Sequence, residues 1–400
     1  MADFSGILNS VSSLVIFRNL LKNQVVEKFI ELFKLIDNNK TEQNNLIYAY
    51  SEAVGELYKL SDNLTEYMLK IVLEDENIYM LKKGAGEKIG VLLEECLASE
   101  LMTLENLAKT QSCNIIDTIG YKGFLPRWKT DEDLDFSKIY ADRIHEINKF
   151  GYGMYARNHI FIIKDGKIKP VSYPDTTRLS QLSGYEMERQ TVIDNTLALL
   201  KGKPANNVLL YGDCGTGKSS TVKAIANEYK DKGLRLIEIK KKQLHEIPSI
   251  VETVSKNPLK FILFIDDLSF TEDDDDFAAL KAILEGSVSS TADNLVIYAT
   301  SNRRHLIKES FSSREGDDIH FNDTMQELLS LSDRFGIRVV FQKPDKNLYL
   351  NVVEDLAEQY NLSMPIEEVK KKAETFALER GGRSPRAAKQ FIEMIKGAEE

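Results

Sequence analysis

Three cysteines in 400 residues (Cys96, Cys113 and Cys214) are too few, too far apart and odd in number for a disulfide framework, and none has metal-ligand spacing. They read as reduced thiols of a cytosolic protein. Long hydrophobic runs are also missing: no apolar stretch reaches the roughly 18–20 residues that a membrane span needs. At the N-terminus no charged segment precedes a processing site, so the expected location is cytoplasmic, with no membrane partner. Positive charge is not in excess either. A formal net charge of −10 runs against a dedicated nucleic-acid binder, because phosphate backbones reward positive surface, although a local basic groove is still compatible with it.

What is present is ordinary in bulk and informative in pattern. Hydrophobic residues at 42% and charged residues at 28% suit a soluble globular chain long enough for two or three domains. Residues 1–150 predict an all-α N-terminal domain: apolar positions recur at helical spacing over 14–21 and 26–36, then over 45–60, 64–81 and 87–109, with Gly84-Ala85-Gly86 as a break. The pattern weakens over 113–149, which reads as an irregular connection. The aromatic and Met positions Tyr48, Tyr50, Tyr58, Tyr67, Met68, Tyr79 and Met80 fit a core or a recognition surface, the core being the commoner use.

Residues 151–178 read as a β-hairpin and linker, since Asp165-Gly166 tolerates the positive φ of a tight turn and Pro170 confines the second arm to an edge. Over 179–344, apolar strands at 207–211, 234–239, 261–265, 295–299 and 337–341 alternate with helical segments. That alternation predicts an α/β domain with five mostly parallel strands and helices on both faces. Residues 345–400 hold no further strand and predict three helices.

The chemistry concentrates on Gly212-Asp213-Cys214-Gly215-Thr216-Gly217-Lys218-Ser219, followed by Ser220. Glycines let successive backbone N–H groups converge on an oxyanion, Lys218 reaches the β- and γ-phosphates, and the Ser219 hydroxyl ligates Mg²⁺. An apolar strand precedes the loop and a helical pattern follows it, which adds the positive helix end to the site. The chain is therefore expected to bind a nucleoside triphosphate.

A second apolar strand ends in Asp266-Asp267, and strand ends in a parallel sheet face the ligand crevice. Asp266 is the candidate Mg²⁺ holder and Asp267 the residue that polarises attacking water. A third strand ends in Thr300-Ser301-Asn302, where the amide of Asn302 can bond that water or a γ-phosphate oxygen. Arg303 and Arg304 follow, and either could serve the outer surface. Arg334 and Arg386 are candidates for neutralising transition-state charge, from a neighbouring subunit or in the same chain. The acidic run Glu272-Asp273-Asp274-Asp275-Asp276 reads as a solvated loop, and so do the lysine runs 240–242 and 370–372 as solvated faces, so nucleic acid is not the favoured partner.

In combination, the phosphate loop, the two polar strand ends, Asp333-Arg334-Phe335-Gly336 and the late Gly381-Gly382-Arg383-Ser384-Pro385-Arg386 resemble the AAA+ ATPases over residues 179–400. The resemblance implies a P-loop NTPase fold with a five-stranded sheet and a C-terminal helical lid, ATP and Mg²⁺ as cofactors, ATP hydrolysis and a homo-oligomer. It matches Lys218 and Ser219 to Walker A, Asp266 and Asp267 to Walker B, and Asn302 to sensor 1. It matches Arg334 to the arginine finger, Arg386 to sensor 2, and Gly184-Tyr185 to the segment that lies on adenine. The runs 206–220, 262–270, 298–307 and 329–336 resemble more closely a bacterial AAA+ family catalogued as a domain of unknown function. One departure stands out: Asp267 replaces the usual Glu and is one methylene shorter, which implies slow turnover. Two tasks fit this engine. One is remodelling of a protein client chosen by the helical N-terminal domain; the other is a nucleotide-gated binding module or loader.

Overall fold

Short polar side chains set where the N-terminal helices begin. Asn23, Asn63, Asn77 and Asp135 each accept backbone N–H bonds at the first turn of a helix, a contact worth about 1 kcal/mol. The computed structural model describes residues 4–38, 40–269, 280–281, 283–284, 292–302 and 333–399. The chain divides into two compact units, which meet in sequence between Arg157 and Asn158. The acidic run 272–276, Arg303 and Arg304 lie outside the described residues.

The first unit is helical. Its elements are α1 (Phe4–Ser12), α2 (Gln24–Asp37), α3 (Gln43–Tyr58), α4 (Leu64–Glu74), α5 (Ile78–Gly84), α6 (Val91–Ala108), α7 (Ser112–Ile119), α8 (Phe136–His145), α9 (Ile147–Phe150) and α10 (Met154–Arg157). The single helix expected over 64–81 is two, because Asn77 caps α5 afresh instead of continuing α4. The stretch expected to be an irregular connection holds α7, α8 and α9 and supplies a centre of the core. Trp128 is buried, with the rings of Phe29 and Tyr50 at 5.1 and 5.5 Å and its indole N–H donated to the Thr110 carbonyl at 2.9 Å. Five of the seven aromatic and Met positions are core residues; Tyr48 and Tyr58 are exposed. A buried carboxylate, Glu100, accepts the backbone N–H groups of Val15, Ile16 and Phe17, which satisfies a turn that no helix completes.

The second unit is built on a sheet of seven strands rather than five. In chain order these are β1 (Ile160–Lys164), β2 (Lys167–Pro170), β3 (Val208–Gly212), β4 (Leu234–Ile239), β5 (Lys260–Ile265), β6 (Leu295–Ser301) and β7 (Ile337–Phe341). Across the sheet they run β2-β1-β4-β5-β6-β3-β7, and every pairing is parallel except β1 with β2. The hairpin expected as a linker is thus the sheet's edge. Ile160, Phe161 and Ile163 are buried, so β1 needs a ladder, and it finds one on β4 with Phe161 opposite Ile237. Asp165 and Gly166 make the turn at φ 54° and 68°, and Pro170 ends the outermost strand, where a missing donor costs nothing.

Most residues of β3, β4, β5 and β6 are buried and none is exposed, as expected of strands covered on both faces. On one face Val208, Leu210, Leu236, Ile262, Phe264 and Tyr298 form a core with α11 (Glu186–Leu200) and α12 (Lys218–Tyr229). Further along the chain come α13 (Ile247–Ser255) and the C-terminal trio α14 (Lys346–Gln359), α15 (Ile366–Glu379) and α16 (Pro385–Glu399). That trio has its own apolar centre around Tyr349, Val353, Val369, Ala373, Phe391 and Ile392.

The edge pairing yields a test. A chain that starts at residue 158 keeps β1 against β4 and should unfold in one cooperative transition. One that starts at residue 175 leaves the buried strand β4 as an open edge and should aggregate, or melt several degrees lower. Thermal denaturation and size-exclusion chromatography check this; equal stability of the two chains would show that β1 adds nothing to the sheet.

Candidate functional site

Parallel strands deliver their C-terminal tips to one edge, and there β3 passes into a turn that only glycine can make. Gly212 has φ 129°, and a Cβ on it would stand 2.2 Å from the Phe341 carbonyl oxygen. Gly215 and Gly217 also have positive φ, 76° and 95°, so the loop curls back on itself before α12 begins at Lys218. Thr216 ties the curl from within, donating its hydroxyl to the Asp213 carbonyl at 2.8 Å.

Lys218 is only 5% exposed, and its Nζ donates to the carbonyls of Gly212 at 2.9 Å and Asp213 at 2.6 Å. An ammonium has three donors, so one is left for a ligand. Burial pushes its pKa down, while Cys214 and the carboxylates of Asp213, Asp266 and Asp267 push the other way. One residue on, the Ser219 hydroxyl donates to Asp266 Oδ1 at 2.6 Å. The loop and the tip of β5 are therefore in direct contact, although 47 residues separate them.

Asp267 follows with φ 53°, a left-handed conformation that costs a residue with a Cβ about 1–2 kcal/mol, and one that Asp tolerates better than most. The end of β6 holds it there. Its N–H is accepted by Thr300 Oγ1 at 2.9 Å, and its Oδ1 accepts from the Asn302 amide at 2.8 Å. Thr300 Oγ1 also donates to Asp266 Oδ1 at 2.5 Å.

These groups line one cleft of about 580 Å³. Its floor is the loop from Cys214 through Ser220 together with Asp266, Asp267, Thr300 and Asn302. Arg386 and Lys389 of α16 close one side, and the Arg386 N–H is donated to the Gly215 carbonyl at 3.2 Å. An apolar end is made by Leu182 with Val352 and Leu356 of α14.

The structure brings together the expected Cys214, Gly215, Thr216, Gly217, Lys218, Ser219, Ser220, Asp266, Asp267, Asn302 and Arg386. Gly212 and Asp213 form the entry to the loop. Asp213 Oδ2 accepts the Lys343 N–H at 2.8 Å. Gly184 and Tyr185 do not line the cleft. Tyr185 is buried with its ring 5.3 Å from that of Phe341, and its hydroxyl is donated to the Gln342 carbonyl. Leu182 and Ser183, just before them, reach the cleft instead. Arg334 lies outside the cleft, partly exposed in the turn before β7. Thr300 was not singled out by sequence, since a Thr near a strand end is ordinary there.

The donor set suits a hard divalent cation. A hydroxyl and a carboxylate stand side by side, and Mg²⁺ usually takes one or two protein oxygens and completes its shell with phosphates and water. Among the described residues there is no group of three or more His, Cys, Asp or Glu that could hold a metal ion.

A mostly parallel sheet, a glycine loop between β3 and α12, two acids directly after β5 and a helical trio closing the cleft define a P-loop domain of the AAA+ type. The chain belongs to the family described as "Protein of unknown function (DUF815)", whose sequence profile matches residues 156–399. Among solved structures it is similar to the Thermotoga maritima RuvB Holliday junction branch migration motor, at 16% identity and a TM-score of 0.39 over 54% of this chain and 63% of that one. Two variants of the same motor match with TM-scores of 0.38 at 15% and 16% identity, over the same shares. The chain thus spans less than two thirds of the motor's length. Comparison with curated proteins finds no match. Among the described residues no helix is long and apolar enough to cross a membrane.

The entry turn can be tested directly. Gly212→Ala should destabilise the second unit by about 2 kcal/mol or more, because its methyl meets a carbonyl that β7 cannot move without breaking its ladder with β3. Urea denaturation measures this; a loss within 0.5 kcal/mol would show that the turn adapts.

Proposed function

We propose that the chain binds ATP with Mg²⁺ and hydrolyses it, coupling the cycle to remodelling of a protein client. The observation that carries this reading is the 2.6 Å bond from Ser219 to Asp266 beside the buried Lys218, at the mouth of a glycine loop. Lys218 supplies positive charge to the β- and γ-phosphates, and Ser219 and Asp266 are the protein oxygens for the ion. Bound there, Mg²⁺ would neutralise phosphate charge as it builds up in the transition state. Asp267 polarises the attacking water, and the Asn302 amide, bonded to Asp267, keeps that carboxylate oriented. Arg386 serves the nucleotide of its own chain, in keeping with its place on the cleft. Arg334 serves a neighbour's nucleotide in a homo-oligomer, in keeping with its place outside it.

The helical first unit is the proposed client-binding part, in a cytoplasmic setting. A second reading is a nucleotide-gated binding module, and Asp267 favours it: the shorter acid already bonded to Asn302 suits slow hydrolysis that resets a switch. Turnover per client decides between them. A remodelling motor consumes many ATP molecules for each client, a switch about one.

Lys218→Ala should abolish tight ATP binding, measured by calorimetry with Mg²⁺, because the loop loses its buried cation. Unchanged affinity would sink the assignment of the site. Arg334→Ala should leave ATP affinity nearly intact and lower kcat by about 10³ or more. Mixed with Lys218→Ala subunits it should regain activity, since a mixed assembly pairs an intact loop with an intact Arg334. If co-assembled subunits regain nothing, or if dilute monomer is fully active, Arg334 does not act across subunits.

A further inference from the structure

Thr300 lies near the end of β6, paired with Leu210 of β3, and is 2% exposed. Its neighbour Ala299 stands opposite Ile265, the last residue of β5, so Thr300 falls beside the pair of acids that follows. Two bonds join it to them and a third to the residue after. Its Oγ1 accepts the Asp267 N–H at 2.9 Å, its Oγ1–H is donated to Asp266 Oδ1 at 2.5 Å, and its carbonyl accepts the Leu268 N–H at 2.7 Å. A hydroxyl has one proton, and the N–H of Asp267 can only donate, so the direction of both side-chain bonds is fixed.

From this geometry we infer that Thr300 is a positioning residue for the candidate ATPase centre, fixing the carboxylate of Asp266 and the left-handed turn at Asp267 with one hydroxyl. Asp266 Oδ1 receives two hydroxyls, from Ser219 and from Thr300. They differ in what else they are needed for. Ser219 lies on the phosphate loop and is the one that a cation shared with phosphate would take up. Thr300 is buried in the sheet, and its second bond goes to backbone. When Ser219 turns to a ligand, Thr300 is the donor that still holds Asp266 in place. The same hydroxyl satisfies the N–H of Asp267, whose conformation would otherwise relax toward negative φ and carry its carboxylate away from Asn302.

The inference rests on the proposed ATP site, and its test separates the two. Full-length wild type, Thr300→Val, Thr300→Ala and Thr300→Ser are compared by calorimetric titration with ATP, first without Mg²⁺ and then at increasing Mg²⁺, and by kcat. Valine keeps the shape and removes the hydroxyl; serine keeps the hydroxyl and removes the methyl. For Thr300→Val and Thr300→Ala the expected result is ATP affinity without Mg²⁺ within about twofold of wild type. The Mg²⁺ concentration for half-maximal enhancement should rise about tenfold or more, with a comparable fall in kcat, the scale typical when a group behind a metal ligand is lost. Thr300→Ser should restore both to within about threefold. Two outcomes overturn the inference: Thr300→Val or Thr300→Ala with wild-type Mg²⁺ dependence and kcat, or a folded Thr300→Ser as impaired as Thr300→Ala, which would assign the effect to the methyl group. Should the Val and Ala chains fail to fold, the serine chain still decides: a folded Thr300→Ser whose half-maximal Mg²⁺ concentration rises, or whose kcat falls, about tenfold from wild type overturns the inference. If Lys218→Ala binds ATP like wild type, the site reading itself fails; if it loses ATP while Thr300→Val is unimpaired, only the role of Thr300 falls.

Discussion

Parallel pairing of β5, β6, β3 and β7 is the constraint on which everything at the cleft depends. Their registers set Ile265 against Ala299, Tyr211 against Ser301 and Gly212 against Phe341, so four chain segments far apart in sequence emerge at one edge. Reversing a six-residue strand such as β5 would carry Asp266 to the opposite edge, about 20 Å away. No rearrangement of side chains spans that gap. The near-continuous apolar character of β3, β5 and β6 is what fixes them as interior, with β7 at the edge, and interior parallel strands need crossovers such as α12 between β3 and β4 and α13 between β4 and β5.

The same edge carries the junction between the sheet and the helical trio. Residues 341–343 leave β7 for α14, and each is held by a segment at the cleft entrance. Asp213 donates its N–H to the Phe341 carbonyl and accepts the N–H of Lys343; Tyr185 donates to the Gln342 carbonyl. From the other side, α16 returns to the loop through the bond from Arg386 to the Gly215 carbonyl. The phosphate loop is thus bonded at its first turn to the start of the junction and at its middle to the end of the trio. A displacement of the trio must be felt by the loop, because the Gly215 carbonyl is spent on α16 and Asp213 is bonded to the residues that lead into α14.

Legibility from sequence followed how local each signal was. The glycine loop was readable because its chemistry sits in eight consecutive residues, and the strands β3 to β7 because each is a short apolar run bounded by polar residues. Two kinds of feature were not. The first is partnership: Asp165-Gly166 announced the hairpin, but nothing in 160–170 says that β1 pairs with β4 rather than standing alone, so a seven-stranded sheet read as five. The second is a single anchor without periodicity. Trp128 organises part of the first unit's core from an extended stretch in which Lys129 bridges Asn63, and Thr300 organises two acids from a strand end. Tyr185 is the converse case: an aromatic at an expected ligand contact packs on Phe341 and bonds the junction.

Asp267 bears on the rate of the proposed hydrolysis. A carboxylate one methylene shorter than Glu has less reach, and its left-handed backbone is held by groups from β6 rather than by its own preference. Asn302 bonds the same carboxylate, so acid and amide form one unit whose orientation is set by the end of β6. On the proposed reading, a water activated by Asp267 must come to that unit, since neither side chain can swing toward it without breaking their shared bond. Such a centre is well oriented but short of reach, a combination that lets binding and hydrolysis be separated in time. Any partner that shifts the tip of β6 relative to β5 by a fraction of an ångström would alter Asp266, Asp267 and Asn302 together, because Thr300 bonds both acids and Asn302 bonds Asp267.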